Sequence, residues 1–297
     1  MFDTVPTLDC AGRELRFDRA RVLGIVNVTP DSFSGDGQPT AAAAVAHGLR
    51  LIDEGADALD VGGESTRPGA DEISVEEELR RVIPVIEALA RGCEVPIFVD
   101  TSKPEVMRAA VAAGAGAIND VFALRRDGAL DAVAELKVPV VLMHMQGEPR
   151  SMQDAPSYDD VVAEVHQFLA QRIFACEMSG IAKKKIVVDP GFGFGKTLDH
   201  NLVLLRQIAR FTDLGVPVLA GLSRKRMIGT LTGREQGQRL HGSVAAALIA
   251  AQQGAKLLRV HDVAATVDAL KVWNAIAAQS VPQGKSPPAK PRWGDED

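Results

Sequence analysis

The amino-acid sequence predicts an α/β protein, a (β/α)₈ TIM barrel with a short N-terminal β-hairpin. Three observations predict it. Eight short aliphatic or β-branched runs recur along the chain, helical patterns lie between them, and a polar residue stands at or just beyond the end of every run. A doubly wound open sheet is the structural alternative. Eight βα units in about 260 residues fit the barrel in length and in count.

The strand-like runs cover residues 22–28, 58–62, 97–100, 117–121, 139–143, 186–189, 217–222 and 257–261. Between them lie Ala-, Leu- and Glu-rich helical stretches at 40–53, 75–90, 104–113, 158–178, 200–211 and 243–253, and the stretch 263–278 closes the series. Punctuation agrees with this alternation. Gly55, Gly114, Gly180, Gly215 and Gly254 each stand between a helical stretch and the next strand, where a left-handed C′ position favours a residue without Cβ. Pro104 opens its helix at N1, with Ser102 or Lys103 as N-cap. Ahead of the first strand, residues 7–18 alternate around Gly12 and read as a hairpin closing the bottom of the barrel. Residues 280–297 hold Pro282, Pro287, Pro288 and Pro291 among polar residues, the composition of a disordered tail, so residues 1–279 form a single domain.

Composition narrows the function. The chain has 297 residues, 46% of them apolar, which excludes a disordered protein. With 33 Lys+Arg against 39 Asp+Glu the net charge is −6, and without a long basic run nucleic acid is a poor partner. No apolar run reaches the roughly 18 residues of a membrane span, and the N-terminus has no leader pattern, so a cytoplasmic protein is expected. Cys10, Cys93 and Cys176 are far apart with no C-x-x-C pair, which signals neither disulfides nor a zinc site. Aromatics at 4% suit helices packed on a buried sheet better than a β-sandwich.

The residues that end the runs carry the chemistry. They are Asn27, Asp60, Asp100, Asn119 with Asp120, His144, Asp189, Ser223 with Arg224 and Lys225, and Arg259 with His261. One of them alone would be an ordinary loop residue. Eight in succession are different, because a parallel barrel brings all strand C-termini to one face, where active sites sit. Carboxylates and carboxamides suit the donor and acceptor edge of a flat polar heterocycle. Lys225, Arg259 and His261 form a basic group that suits an anionic leaving group, with a hard metal ion as a further possibility. A small heterocycle carrying a phosphate is the substrate class these residues suggest.

Other motifs weigh less. The segment 191–197, Gly-Phe-Gly-Phe-Gly-Lys-Thr, imitates a Walker A end, but Pro190 stands where the first glycine is required. It reads instead as a glycine backbone that lets a ligand approach, with Phe192 or Phe194 against its flat face. The run Ser223-Arg224-Lys225-Arg226 leads into a helix, where cations oppose the macrodipole, so an anion or acceptor-rich ligand nearby explains it better than a solvated face. His47, His166 and His200 lie in helical stretches and read as incidental. There is no H-E-x-x-H, no Cys/His cluster and no G-x-S-x-G.

These residues resemble a known family. Asn27-Val28-Thr29-Pro30-Asp31-Ser32-Phe33-Ser34 and the stretch from Asp60 to Gly69, which includes Gly63-Glu64-Ser65-Thr66-Arg67-Pro68, resemble the two signature loops of the dihydropteroate synthases, pterin-binding enzymes. Val99-Asp100-Thr101-Ser102-Lys103, the stretch from Asp189 to Lys196, Ser223-Arg224-Lys225 and Arg259-Val260-His261-Asp262 match the remaining signatures in order, and the resemblance spans 22–278. It implies condensation of (7,8-dihydropterin-6-yl)methyl diphosphate with 4-aminobenzoate in folate synthesis. It also implies a cytoplasmic transferase that is a homodimer, a sulfonamide target and a user of Mg²⁺. Asp100, Asn119, Asp189 and Lys225 then match the pterin pocket, and Asn27, Arg259 and His261 the diphosphate site, with Asn27 a Mg²⁺ ligand. Thr66, Arg67, Pro68, Phe194 and Ser223 match the 4-aminobenzoate site, while Asp31 and Phe33 lie on the first loop. Asp100, Asp189, Lys225 and Arg259 are the expected catalytic residues. The alternatives are a methyltetrahydrofolate:corrinoid methyltransferase and a pterin-binding module without turnover.

Overall fold

The apolar runs form the eight parallel strands of a barrel, preceded by an antiparallel hairpin. In a computed structural model, which describes residues 5–29, 41–65 and 71–278, the hairpin is β1 (Thr7–Cys10) and β2 (Arg13–Arg16). The barrel strands are β3 (Arg21–Asn27), β4 (Ala58–Gly62), β5 (Ile97–Asp100), β6 (Ala117–Asp120), β7 (Val140–Met143), β8 (Ile186–Asp189), β9 (Leu219–Ala220) and β10 (Leu257–Val260). Their order is β8-β7-β6-β5-β4-β3-β10-β9. The ring closes through a parallel bridge between Val188 and Val218, where the Val188 N–H donates to the Pro217 carbonyl at 3.0 Å.

Helices cover the outside: α1 (Ala41–Asp53), α2 (Val75–Gly92), α3 (Pro104–Ala112), α4 (Ala129–Leu136), α5 (Val161–Met178), α6 (Leu198–Arg206), α7 (Ala209–Thr212), α8 (Arg226–Thr232), α9 (Leu240–Gln252) and α10 (Val263–Ala277). The barrel follows the expected alternation of strands and helices, with local differences. Helix α4 falls where the sequence gives no start signal. It has two turns and is flanked by left-handed Gly128 and Lys137 rather than by a capping side chain. The expected helix over 200–211 is broken into α6 and α7. The expected strand over 217–222 keeps ladder pairing only at β9. Lys103 is the N-cap of α3 but makes no side-chain cap bond, because the neighbouring Ser102 hydroxyl donates to Asp120 instead. The segments 30–40 and 66–70 and the tail 279–297 lie outside the described residues, so Asp31, Phe33, Thr66, Arg67 and Pro68 do too.

Strand alternation sorts the side chains into two sets. Val22, Leu59, Val99, Ile118, Leu142, Val188 and Leu258 face the helices and build the main core. Leu23, Ala58, Phe98, Ala117, Val141, Val187, Leu219 and Leu257, one from each strand, meet inside the barrel together with Leu8, Cys10, Leu15 and Phe17 of the hairpin region. The hairpin is therefore the floor of the barrel, as expected. Its turn uses left-handed Ala11 and Gly12, the geometry a two-residue hairpin favours, and the Gly12 N–H donates to Asp9 at 2.7 Å. Gly116 marks the contact: a Cβ there would lie 2.3 Å from the Cys10 carbonyl oxygen.

Candidate active site

One pleat above the apolar floor the interior changes character. The next inward positions are Asp60 on β4, Asp100 on β5, Asn119 on β6, Asp189 on β8 and Arg259 on β10, with Ile25 and Met143 apolar between them. Five of the strand-end residues singled out in the sequence thus meet in one layer inside the barrel mouth.

Arg259 organises this layer. Its Nε donates to Asp60 Oδ2 at 2.5 Å and its Nη2 to Asp100 Oδ2 at 2.7 Å. Asp60 Oδ2 also accepts from Asn119 Nδ2 at 3.0 Å. Burial opposes the Arg259 charge, but the adjacent Asp60 and Asp100 outweigh it and raise its pKa. The Asp100 carboxyl is pushed up to about 8, first by burial and then by the Asp60 charge, against the lowering effect of Arg259. Arg259, one of the three residues of the basic group read from the sequence, is thus paired with two carboxylates.

Opposite stands Lys225, the N-cap of α8. Its Nζ donates to the Phe192 carbonyl and lies 4.5 Å from the centroid of the Phe194 ring. Burial pushes its pKa down to about 8, with Asp189 opposing that shift. Asp189 moves the other way, raised by burial against the pull of Lys225. Its Oδ1 accepts the Gly191 N–H at 2.7 Å. That bond needs glycine: Gly191 has φ +72, and a Cβ would come 1.8 Å from the His144 carbonyl oxygen. Of the two phenylalanines, Phe192 is fully buried in the core, so only Phe194 can offer a face to a ligand.

The basic run 223–226 splits. Arg224 pairs with Asp262 through two bonds of 3.0 and 2.5 Å, Lys225 enters the mouth, and Arg226 is exposed. The Ser223 hydroxyl accepts the His261 backbone N–H at 3.1 Å and lies 3.0 Å from His261 Nδ1, which fixes that ring. Asn27 ends β3, half-buried, beside Gly62 on β4. Among the described residues no three His, Cys, Asp or Glu side chains gather as a metal cage.

Three groups of residues carry more than the sequence signals. Asp60 was legible as a polar strand end but not as the hub of the layer. Lys196, read as part of a false Walker motif, is buried and donates to the Phe194 carbonyl at 2.9 Å, with His144 Nδ1 also at 2.9 Å. Burial holds the His144 pKa down at about 2, so its ring is neutral. Lys103 sits between Glu64 at 2.6 Å and Glu78 at 2.7 Å, and Glu64 also accepts the Ile73 N–H at 3.1 Å, tying together the two ends of the second loop. Only local pairing inside the fold brings these three together. A cleft of about 790 Å³ lies to one side, lined by Glu72, Lys103, Phe122, Arg125, Arg126 and Glu148 among others, away from Asp189 and Lys225.

A barrel whose mouth gathers these carboxylates, this amide and these two cations defines a pterin binding enzyme, and the model of that family matches residues 23–261. A dihydropteroate synthase of Escherichia coli strain K12 is 55% identical over 265 residues, covering 89% of this chain and 94% of that protein. A solved Xanthomonas albilineans dihydropteroate synthase with 4-aminobenzoic acid is 69% identical, with a TM-score of 0.90, 93% of this chain and 100% of that one. The same organism's enzyme in complex with 7,8-dihydropteroate gives 65% identity and a TM-score of 0.86 over the same shares. The chain belongs to the dihydropteroate synthase family of transferases.

Proposed function

We propose that the chain condenses (7,8-dihydropterin-6-yl)methyl diphosphate with 4-aminobenzoate, giving 7,8-dihydropteroate and diphosphate in folate synthesis. The observation that carries this is the polar interior layer facing Lys225: acceptors at Asp100, Asn119 and Asp189 and a donor at Lys225, around a space closed below by the apolar floor. Family membership favours the synthase over the corrinoid methyltransferase alternative.

In this reading Asp100 and Asp189 accept ring N–H groups, Asn119 contributes its amide, and Lys225 donates to ring acceptors. Arg259 Nη1, which has no hydrogen-bond partner among the described residues, points donors at the diphosphate together with His261. Asn27 would offer Mg²⁺ one amide oxygen, and among the described residues no three His, Cys, Asp or Glu side chains gather to hold the ion instead. The ion, when bound, neutralises charge on the leaving group. The C–O bond to diphosphate breaks and the exocyclic carbon becomes cationic, stabilised by the electron-rich ring beside Asp189. The arylamine then attacks, a C–N bond forms, and the amine proton leaves. Phe194 and Ser223, with Thr66, Arg67 and Pro68, hold the arylamine, and the loop carrying Asp31 and Phe33 excludes water. A sulfonamide, as an arylamine analogue, competes there.

The enzyme is expected in the cytoplasm; among the described residues no helix is long and apolar enough to cross a membrane. A homodimer is supported by exposed apolar residues on α9 and α10, Ile249, Val272 and Ile276. The test is direct. The purified protein is incubated with Mg²⁺, the pterin diphosphate and labelled 4-aminobenzoate. Labelled dihydropteroate with equal release of diphosphate supports the reading, and no labelled product overturns it.

A further inference from the structure

Asp60 is a fully buried charged group at the barrel mouth. It is wholly inaccessible, and one oxygen, Oδ2, serves both Asn119 Nδ2 and Arg259 Nε, while Oδ1 makes no hydrogen bond among the described residues. An orphaned oxygen on a buried carboxylate carries a desolvation cost on that side. What it does is geometric. By taking Nε it fixes the plane of the guanidinium, Asp100 takes Nη2, and Nη1 is left as the edge turned away from both acids. By taking one Nδ2 hydrogen it fixes the plane of the Asn119 amide, which leaves Oδ1 and the second Nδ2 hydrogen for other partners.

We propose that Asp60 is a positioning residue: it holds Arg259 with Nη1 toward the leaving diphosphate and the Asn119 amide in one fixed plane toward the pterin ring, without touching either substrate. This rests on the proposed synthase reaction. It adds a specificity element, because an Asn119 amide held in one plane, with an acceptor and one remaining donor, selects a ring edge complementary to that pair.

Three single variants and one double variant test it by steady-state kinetics. An amide at position 60 keeps an oxygen where Oδ2 stands, so both hydrogen bonds survive in Asp60→Asn, whereas Asp60→Ala loses both. The expected result is a loss in kcat/KM for the pterin diphosphate of at least about 30-fold in Asp60→Ala and less than about fivefold in Asp60→Asn. KM for 4-aminobenzoate should stay within about twofold in both. In an Arg259→Lys background, which abolishes the oriented fork, the Asp60→Ala loss should shrink at least about threefold, as expected for residues acting as a unit. Equal losses in the two Asp60 variants, or a full-sized loss in the Arg259→Lys background, would overturn the proposal. So would an Asp60→Ala chain that fails to fold while Asp60→Asn equals the parent, since that assigns the carboxylate to stability. An inactive parent protein would instead refute the synthase reading.

Discussion

Lys225 Nζ stands 4.5 Å over the ring of Phe194, while Phe192, two residues earlier, is sealed in the core and gives Lys225 only its carbonyl. The two phenylalanines of one glycine loop therefore have separable roles. Phe194→Leu should raise KM for 4-aminobenzoate several-fold with a stability change under about 1 kcal/mol, as for a half-exposed side chain. Phe192→Ala should cost about 3–5 kcal/mol, a core cavity effect. Urea unfolding beside steady-state kinetics separates them.

The pH profile should be narrow. Pterin binding needs Asp100 ionised and Lys225 protonated. Burial raises the Asp100 pKa to about 8, so efficiency falls as pH drops below that value. Burial lowers the Lys225 pKa to about 8, so efficiency falls again as pH rises above it. A maximum near pH 8 is expected in kcat/KM for the pterin diphosphate. Lys225→Arg, whose guanidinium stays charged, should retain the acid limb and lose the alkaline one.

Gly191 should tolerate no side chain. An alanine there needs φ +72 and would drive its Cβ into the His144 carbonyl oxygen, with the Asp189 bond lost as the loop moves. Gly191→Ala should lower kcat/KM by at least about tenfold through misplaced Asp189. The crystal structure of the variant should show the loop displaced.

Lys103 is the single cation between two carboxylates, one of them, Glu78, fully buried. Burial pushes the Glu78 carboxyl up, and Lys103 opposes that shift. Lys103→Met leaves both acids unpaired, and breaking a buried pair costs about 3–5 kcal/mol. Thermal unfolding measures it. Lowering the pH should soften the loss, because the unpaired Glu78 becomes neutral by taking a proton.

Much of this was legible in the sequence because it rests on chain order. The β-α alternation, the hairpin around Gly12 and the row of polar strand ends follow from periods of two and of 3.6 and from punctuation. Which acid faces which base does not, since that is set by the stagger of strands distant in sequence. Arg259 and Asp60 lie 199 residues apart, and nothing local in either segment signals their bond. Charge counting has the same limit: it places Arg259 in a basic group but cannot show the two carboxylates beside it. Phe192 and Phe194 look alike in a run of alternating glycines, and only the backbone turn after Asp189 sends one into the core. Helix α4 lacks a capping side chain, so its start left no mark.

The most direct measurement is the crystal structure of the protein with 6-hydroxymethyl-7,8-dihydropterin. The account predicts the ring in the barrel mouth, with N–H groups about 3 Å from Asp100 and Asp189, an acceptor at the same distance from Lys225 Nζ, and the Asn119 amide at its edge. A ring in the lateral cleft between Glu72 and Arg126, with Asp100, Asp189 and Lys225 untouched, would contradict it.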